Sequence, residues 1–345
     1  VKILVRATNW IGDAVMSLPA LRSLRSAYPQ AEMVVLARPW VADLYQGERS
    51  IDRVIPLHGA NGLRDLAVKW QTARALRQER FDLAVLFPNS FESAAVVFAA
   101  LVFAGGAARR VGYARDGRSF LLTTAVPLPK PGEIPKHERF YYPEMLRRAG
   151  LIDRLPDVPE IRLDGAPEAR ARGEALFAER GMELPVVGVS PGAAYGGAKR
   201  WLPERFASAA RELAGRLGGS VAVFGSAGEK ALCEEVARAA GGRNFAGATS
   251  LRQFIDMTAA CHVYLTNDSG AMHIASALSV PSVTVFGPTD ETATGPSGPC
   301  ARLLREPVEC APCMLRECPI DHRCMTRVTA DRVVAEALNV LSGRC

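Results

Sequence analysis

Ile3-Leu4-Val5-Arg6-Ala7-Thr8-Asn9-Trp10-Ile11-Gly12-Asp13-Ala14-Val15 opens the chain as a short strand, a loop and the start of a helix. Apolar residues at helical spacing continue over residues 17–28, and Pro29 stops them. A strand that passes through a short loop into a helix is the first half of a βαβ unit, and the pattern recurs. Strand-like runs lie at residues 33–37, 53–57, 83–87 and 110–113, with another helical stretch at 63–80. Such alternation predicts an α/β fold with a parallel sheet between helices.

Residues 151–167 carry Pro156, Pro159 and Pro167 without sustained periodicity, and they read as a linker. A second cycle follows, with strands at 186–190, 221–224, 263–266 and 282–286 and helices at 204–217, 229–240, 251–260 and 271–278. The expected organisation is therefore two doubly wound domains, residues 1–155 and 168–328, with a closing helix over 329–345. Ligands of such sheets bind beyond the carboxyl ends of the strands, so two facing domains would place the working cleft between their strand-to-helix loops.

Composition sets the class. Of 345 residues, 48% are hydrophobic and 23% charged, as in ordinary globular proteins. The longest apolar stretch, residues 94–108, is broken by Gly105 and Gly106 and is shorter than the ~20 residues of a membrane-spanning helix, so it reads as a buried helix. No secretory signal pattern precedes the first strand, which makes the cytoplasm the expected compartment. There the eight cysteines would be reduced thiols or metal ligands. Residues 1–150 hold 21 Lys+Arg against 13 Asp+Glu, a net +8, whereas the remainder holds 21 against 23. A basic first half suits an anionic partner or is simply an arginine-rich solvated surface.

The loops should carry the chemistry. Asp13 stands at a helix start, either as an N-cap or as a general base for an acceptor hydroxyl, kept ionised by the helix dipole. Ser190-Pro191-Gly192-Ala193-Ala194-Tyr195-Gly196-Gly197-Ala198-Lys199-Arg200-Trp201 has the glycine content for close approach to a ligand but lacks P-loop spacing. Lys199 and Arg200 supply cations for a diphosphate, or else a solvated pair. Thr266-Asn267-Asp268-Ser269-Gly270-Ala271-Met272-His273 joins a strand to a helix whose first N–H groups suit phosphate, with a capped helix and a buried His273 as the plainer alternative. Glu229, after Phe224-Gly225-Ser226-Ala227-Gly228, is placed for ribose hydroxyls or for its own helix dipole. Neither domain's first strand is followed by Gly-x-Gly-x-x-Gly, which argues against a nicotinamide dehydrogenase, and no Asp-x-Asp metal motif occurs.

Several of these motifs in one order carry a resemblance: Trp10-Ile11-Gly12-Asp13, Pro191-Gly192-Ala193 with Ala198-Lys199-Arg200-Trp201, Phe224-Gly225-Ser226, Thr266 to Gly270 with Met272-His273, and Gly287-Pro288-Thr289. Over essentially its whole length the chain resembles the ADP-heptose:lipopolysaccharide heptosyltransferases of glycosyltransferase family nine, most closely members that act on a core already bearing one heptose. The resemblance implies a GT-B architecture of two Rossmann-like domains, the acceptor on the first and the nucleotide sugar on the second, and no cofactor or catalytic metal. It matches Asp13 to a catalytic base, Lys199 to a phosphate-binding lysine, Glu229 to a nucleoside-binding glutamate, and Asp268, Ser269, Gly270 and His273 to the donor loop. Tyr195 falls where members of the first-heptose type carry a threonine near phosphate, and Ser250 and Leu251 border the adenine.

The implied reaction is inverting transfer of heptose from ADP-L-glycero-D-manno-heptose to a lipid A-Kdo-heptose acceptor, by a cytoplasmic enzyme peripheral at the inner face of the inner membrane. Arg109, Arg110, Arg115 and Arg118 are the expected contributors to headgroup contact. Alternatives are transfer to Kdo-lipid A, a sugar-nucleotide epimerase or hydrolase on a similar scaffold, and, last, a basic nucleic-acid module, for which no recognition motif is present. Cys310, Cys313, Cys318 and Cys324 form C-x2-C-x4-C-x5-C with His322 nearby, which reads as loop thiols ahead of a structural zinc site. Cys233 and Cys261 lie in helical patterns and are expected in the core.

Overall fold

The computed structural model of the protein describes residues 1–59, 63–102, 109–157 and 160–343. The chain divides into two units, Val1–Val158 and Pro159–Cys345. Unit 1 runs β1 (Lys2–Arg6), α1 (Ile11–Ala27), β2 (Glu32–Ala37), α2 (Pro39–Tyr45), β3 (Arg53–Pro56), α3 (Leu63–Gln78), β4 (Leu83–Leu86), α4 (Phe91–Val102), β5 (Arg109–Tyr113), β6 (Thr124–Val126) and α5 (Tyr141–Arg148). Its strands form one parallel sheet in the order β3-β2-β1-β4-β5-β6. The central strands are apolar on both faces because helices cover both. Leu4, Val34, Leu36, Leu86, Leu76 and Phe81 make one continuous core.

Unit 2 runs α6 (Ala166–Glu179), β7 (Val186–Ser190), α7 (Pro203–Leu217), β8 (Ser220–Val223), α8 (Lys230–Ala240), β9 (Arg243–Asn244), α9 (Leu251–Ala259), β10 (Val263–Asn267), α10 (Gly270–Ala277), β11 (Ser282–Phe286), α11 (Glu291–Thr294), β12 (Ala301–Arg305), α12 (Arg323–Thr326) and α13 (Ala330–Ser342). Its parallel sheet has the order β12-β11-β10-β7-β8-β9. Pro203 begins α7, where its missing N–H costs nothing, and Gly218 in a left-handed conformation ends it. The buried face of α7 contributes Phe206, Ala210 and Leu213 to a core shared with Val187, Val221 and Val283. The closing helix α13 packs on α7, β11 and β12.

The proline-rich stretch before unit 2 ends in a helix. Pro167 sits in the first turn of α6, where proline is tolerated, and α6 then packs closely on α9. Gly173 permits that approach, since a Cβ there would come within 2.0 Å of the Asp256 carbonyl oxygen. Among the described residues no helix is long and apolar enough to cross a membrane. The apolar stretch read as a buried helix is α4 over its described part, and residues 103–108 lie outside the described residues.

Candidate functional site

A doubly wound sheet has one place where the chain leaves the centre in opposite directions, and the crevice there holds ligands. In unit 2 that switch point lies between β7 and β10, the first strand and the one begun after the chain returns from β9. Lys199 follows β7 and Asp268 follows β10, and the two meet: Lys199 Nζ is 2.5 Å from Asp268 Oδ2, with side chains only 13% and 5% exposed. Thr289, after β11, donates its hydroxyl to the same Asp268 oxygen at 2.5 Å. Ser269 precedes α10 without a side-chain cap, so the helix presents its first-turn N–H groups beside this pair.

Asn267 aligns the two loops. Its Oδ1 accepts from Trp201 N at 2.9 Å, and its Nδ2 donates to Pro191 O at 2.7 Å. Trp201 is in turn fixed by its indole N–H on Val328 O at 3.0 Å and by edge-on packing against Phe206. Between Pro191 and Trp201 the chain is held from the other side by the cysteine-bearing loop. Tyr195 donates its hydroxyl to Met314 O at 2.7 Å, Gly197 N donates to Glu317 Oε1 at 2.9 Å, and Ala198 N donates to Arg316 O at 2.8 Å. His322 Nε2 lies 2.7 Å from Ala198 O. The Tyr195 ring also lies 4.7 Å from Lys199 Nζ and 5.2 Å from Arg316 Cζ, so two cations and a loop carbonyl hold it.

The remaining residues expected at the donor end lie on loops at the same edge of the sheet. Glu229 Oε2 accepts from Ser226 N at 2.9 Å and Ser226 Oγ at 2.8 Å, closing a capping box, while Oε1 lies against Gly192, where a Cβ would come within 2.0 Å of it. Ser250 caps α9 through Gln253 N at 3.1 Å, and Leu251 is the first residue of that helix. Gly247 N donates to Gly225 O at 3.0 Å, tying the loops after β8 and β9 together. His273 is buried within α10. Asn267 and Thr289 belong to the motifs read in the sequence, but their roles as loop clamp and as partner of Asp268 had no signal there, because each bond joins different loops.

In unit 1 the switch point lies between β1 and β4. Asp13 is the third residue of α1, whose N-cap is Trp10, so the N-cap alternative for Asp13 is corrected: the helix starts two residues before it. The 3-10 turn Glu138–Phe140 packs against α1. Burial and then the charge of Asp13 push the Glu138 carboxyl up, and burial followed by Asp13 also raises the Tyr142 hydroxyl. Asp13 thus faces a half-buried second carboxyl, which its 125-residue sequence separation from Glu138 kept out of view.

The arginines expected to meet headgroups need correction. Arg118 is fully buried and donates to Tyr113 O at 3.0 Å and to Pro88 O, and Arg110 is buried and donates to Leu121 O at 2.8 Å. Both serve backbone carbonyls, a use of arginine invisible in charge counts. Arg109 donates to Ala149 O yet stays exposed, as does Arg115, so two of the four face solvent.

Cys233 and Cys261 are buried in the core, and burial pushes the Cys233 thiol up to about 12. Cys310 and Cys313 are exposed and Cys318 is half-buried. Burial, then neighbouring Cys310, Cys318 and Cys313, raise the Cys324 thiol to about 11. Among the described residues no three His, Cys, Asp or Glu side chains form a group able to hold a metal ion. Cys300 is disulfide-bonded, which corrects the expectation that every cysteine is a thiol or a ligand.

With this geometry in hand, a family model described as glycosyltransferase family 9 (heptosyltransferase) matches residues 69–323. The chain belongs to that family. This heptosyltransferase is 33% identical over 317 residues, 88% of each chain, to lipopolysaccharide heptosyltransferase 2 of Salmonella typhimurium. It superposes on the solved ADP-heptose lipopolysaccharide heptosyltransferase II of E. coli with a TM-score of 0.81 at 29% identity, covering 99% of both chains. An E. coli heptosyltransferase solved with ADP shares the fold, with a TM-score of 0.75 at 18% identity over 99% of this chain and all of that one. The two six-stranded parallel sheets are those of the GT-B fold.

Proposed function

We propose that the protein is an inverting glycosyltransferase that moves heptose from ADP-L-glycero-D-manno-heptose to the first heptose of the lipopolysaccharide inner core, with the donor on unit 2 and the acceptor on unit 1. The observation that supports this best is the desolvated Lys199–Asp268 pair beside the uncapped start of α10 at the switch point of unit 2. An ammonium has three N–H donors. Asp268 takes one and aims the side chain, which leaves two for oxygens of a diphosphate. The N–H groups opening α10 add a fixed positive potential at the same place, so charge on the leaving group is stabilised without a metal. The printed names of the relatives, lipopolysaccharide heptosyltransferase 2 and a heptosyltransferase solved with ADP, agree with this substrate class.

Asp13 is the base. Its carboxylate takes the proton of an acceptor heptose hydroxyl; the hydroxyl oxygen bonds to the anomeric carbon as the bond from that carbon to the β-phosphate oxygen breaks, and the electron pair departs on ADP. Attack opposite the leaving group inverts the anomeric centre in one displacement. Glu229, Ser250 and Leu251 border the nucleoside, while Tyr195, Ser269, Gly270 and His273 shape the donor loop. The acceptor is lipid-anchored, so the enzyme works at the inner face of the inner membrane, drawn there by the basic surplus of residues 1–150.

Asp13→Ala should abolish transfer and leave ADP binding by calorimetry within about twofold; full turnover by that variant refutes the base. ADP release that requires acceptor separates transfer from an epimerase or hydrolase. Product analysis with truncated cores bearing zero or one heptose separates the two acceptors.

A further inference from the structure

The loop that carries the cysteines lies directly on the glycine-rich turn of unit 2. A Cβ at Gly196 would stand 2.3 Å from the Arg316 carbonyl oxygen, and one at Gly197 would stand 2.4 Å from a Glu317 carboxylate oxygen, so the two glycines let the loops touch. The Arg316 carbonyl accepts from Ala198 N at 2.8 Å, one residue before Lys199. Met314 N donates to Pro288 O at 2.8 Å, beside the Thr289 that serves Asp268. The segment from Met314 to Glu317 is therefore fixed to the loops that supply Lys199 and Thr289.

That anchoring brings a second cation to the ring that Lys199 already uses. The Tyr195 ring centroid lies 4.7 Å from Lys199 Nζ and 5.2 Å from Arg316 Cζ, and the Tyr195 hydroxyl is committed to Met314 O at 2.7 Å. The two cations differ in what balances them. Lys199 has Asp268, whereas Arg316 is exposed and, among the described residues, its guanidinium has the Tyr195 ring but no carboxylate. Arg200, the cation next to Lys199 in the sequence, donates instead to Ala193 O at 3.4 Å. The uncompensated positive charge beside Lys199 thus comes from the cysteine-bearing loop. Two like charges gathered at one ring, with a single carboxylate for both, favour an anion there.

We propose that Arg316 is a second cation of the donor site, hydrogen-bonding phosphate oxygens of the nucleotide diphosphate alongside Lys199. A guanidinium is planar and presents paired N–H donors that match two phosphate oxygens, which an ammonium does not offer. The backbone of Arg316 is tied down before any ligand arrives, so only its side chain has to be ordered on binding. The inference rests on the reading that the diphosphate lies at Lys199, and it deepens that reading by making the cysteine-bearing loop part of the donor site rather than only its support.

Titration calorimetry of the whole protein with ADP, and separately with adenosine, tests it. Arg316→Gln should weaken ADP roughly 5–10-fold, the scale of one charge-assisted hydrogen bond discounted for exposure, while adenosine stays within about twofold and Tm is unchanged. Arg316→Lys, which keeps the charge, should fall between the two. Added salt should weaken ADP less in Arg316→Gln than in wild type, because one screened attraction is gone. In the transfer assay the ADP-heptose KM of Arg316→Gln should rise by the same factor with the acceptor KM unchanged. Wild-type ADP affinity in Arg316→Gln overturns the proposal, and so does an equal loss for ADP and adenosine, which would make Arg316 a prop for the Tyr195 ring. The underlying reading fails separately: if Lys199→Met binds ADP as wild type does, the diphosphate is not at Lys199, and if Lys199→Met loses affinity while Arg316→Gln does not, Arg316 alone is ruled out.

Discussion

Lys199→Met separates what the lysine does for the fold from what it does for the ligand. The substitution keeps the aliphatic stem but strips a carboxylate only 5% exposed of its cation, leaving Asp268 with the Thr289 hydroxyl. Removing one partner of a buried pair costs about 3–5 kcal/mol, and the partial exposure of Lys199 puts this case near 3. For a unit of this size that is a fall in Tm of roughly 6–12 °C. Adding Asp268→Asn removes the stranded charge and should return most of it. Binding should not return: two ammonium hydrogen bonds to phosphate oxygens, discounted for solvent, are together worth about 3 kcal/mol, so ADP should bind roughly 100-fold more weakly to both variants. Thermal unfolding and calorimetric titration of wild type, single and double variants read the two effects independently. Wild-type ADP affinity in Lys199→Met, or recovery of affinity along with Tm in the double variant, would refute the assignment of this cation to the diphosphate.

Gly196→Ala should detach the glycine-rich turn from the cysteine-bearing loop, since a Cβ there would stand 2.3 Å from the Arg316 carbonyl oxygen; the expected result is a donor KM raised about tenfold or more with stability lowered by about 1–3 kcal/mol, and an unchanged donor KM counts against the clamp. Glu79 is held down at about 2 by Arg53 and then Lys2. Its unfolded value is about 4.3. Its contribution is therefore complete above the unfolded value and disappears as pH falls toward 2, so Glu79→Gln should lower stability by about 1 kcal/mol at pH 7 and by almost nothing near pH 2. Urea unfolding at the two pH values checks this, and a deficit independent of pH would refute it.

The fold was legible where strands are buried on both faces. The runs at 186–190 and 282–286 coincide with β7 and β11 because a short valine-rich run between turn signals has few other readings. The edges were not: β9 has two residues, and β12 carries Arg302 and Arg305 on a half-buried strand, so neither shows apolar alternation. Helix starts were missed where a cap was misjudged, as at α1, whose N-cap is a tryptophan with no side-chain bond to its helix. In the candidate site, two loops that the sequence marks separately are joined by the pairing of Lys199 with Asp268. Contacts such as Asn267 with Trp201, or Glu317 with Gly197, span 66 and 120 residues and depend on loop conformation, which local pattern does not encode.

Two deeply buried cations, one in each unit, are held in opposite ways, and the difference has a measurable sign. Lys199 is stored against a carboxylate, so the empty site is electrically satisfied and removing the cation leaves a stranded charge. Among the described residues Arg6 has no ion-pair partner, a like charge nearby and an Nε–H without an acceptor, so its burial is the less compensated of the two. Arg6→Met, which fills a similar volume without charge, should therefore leave Tm unchanged or raise it, as replacement of buried ionic groups by apolar ones often does, even though Asn9 loses a donor. Lys199→Met should lower it by the amount worked out above. If Arg6→Met proved as destabilising as Lys199→Met, the guanidinium would be a structural tie whose hydrogen bonds to Asn9 and to backbone oxygens outweigh the cost of its burial.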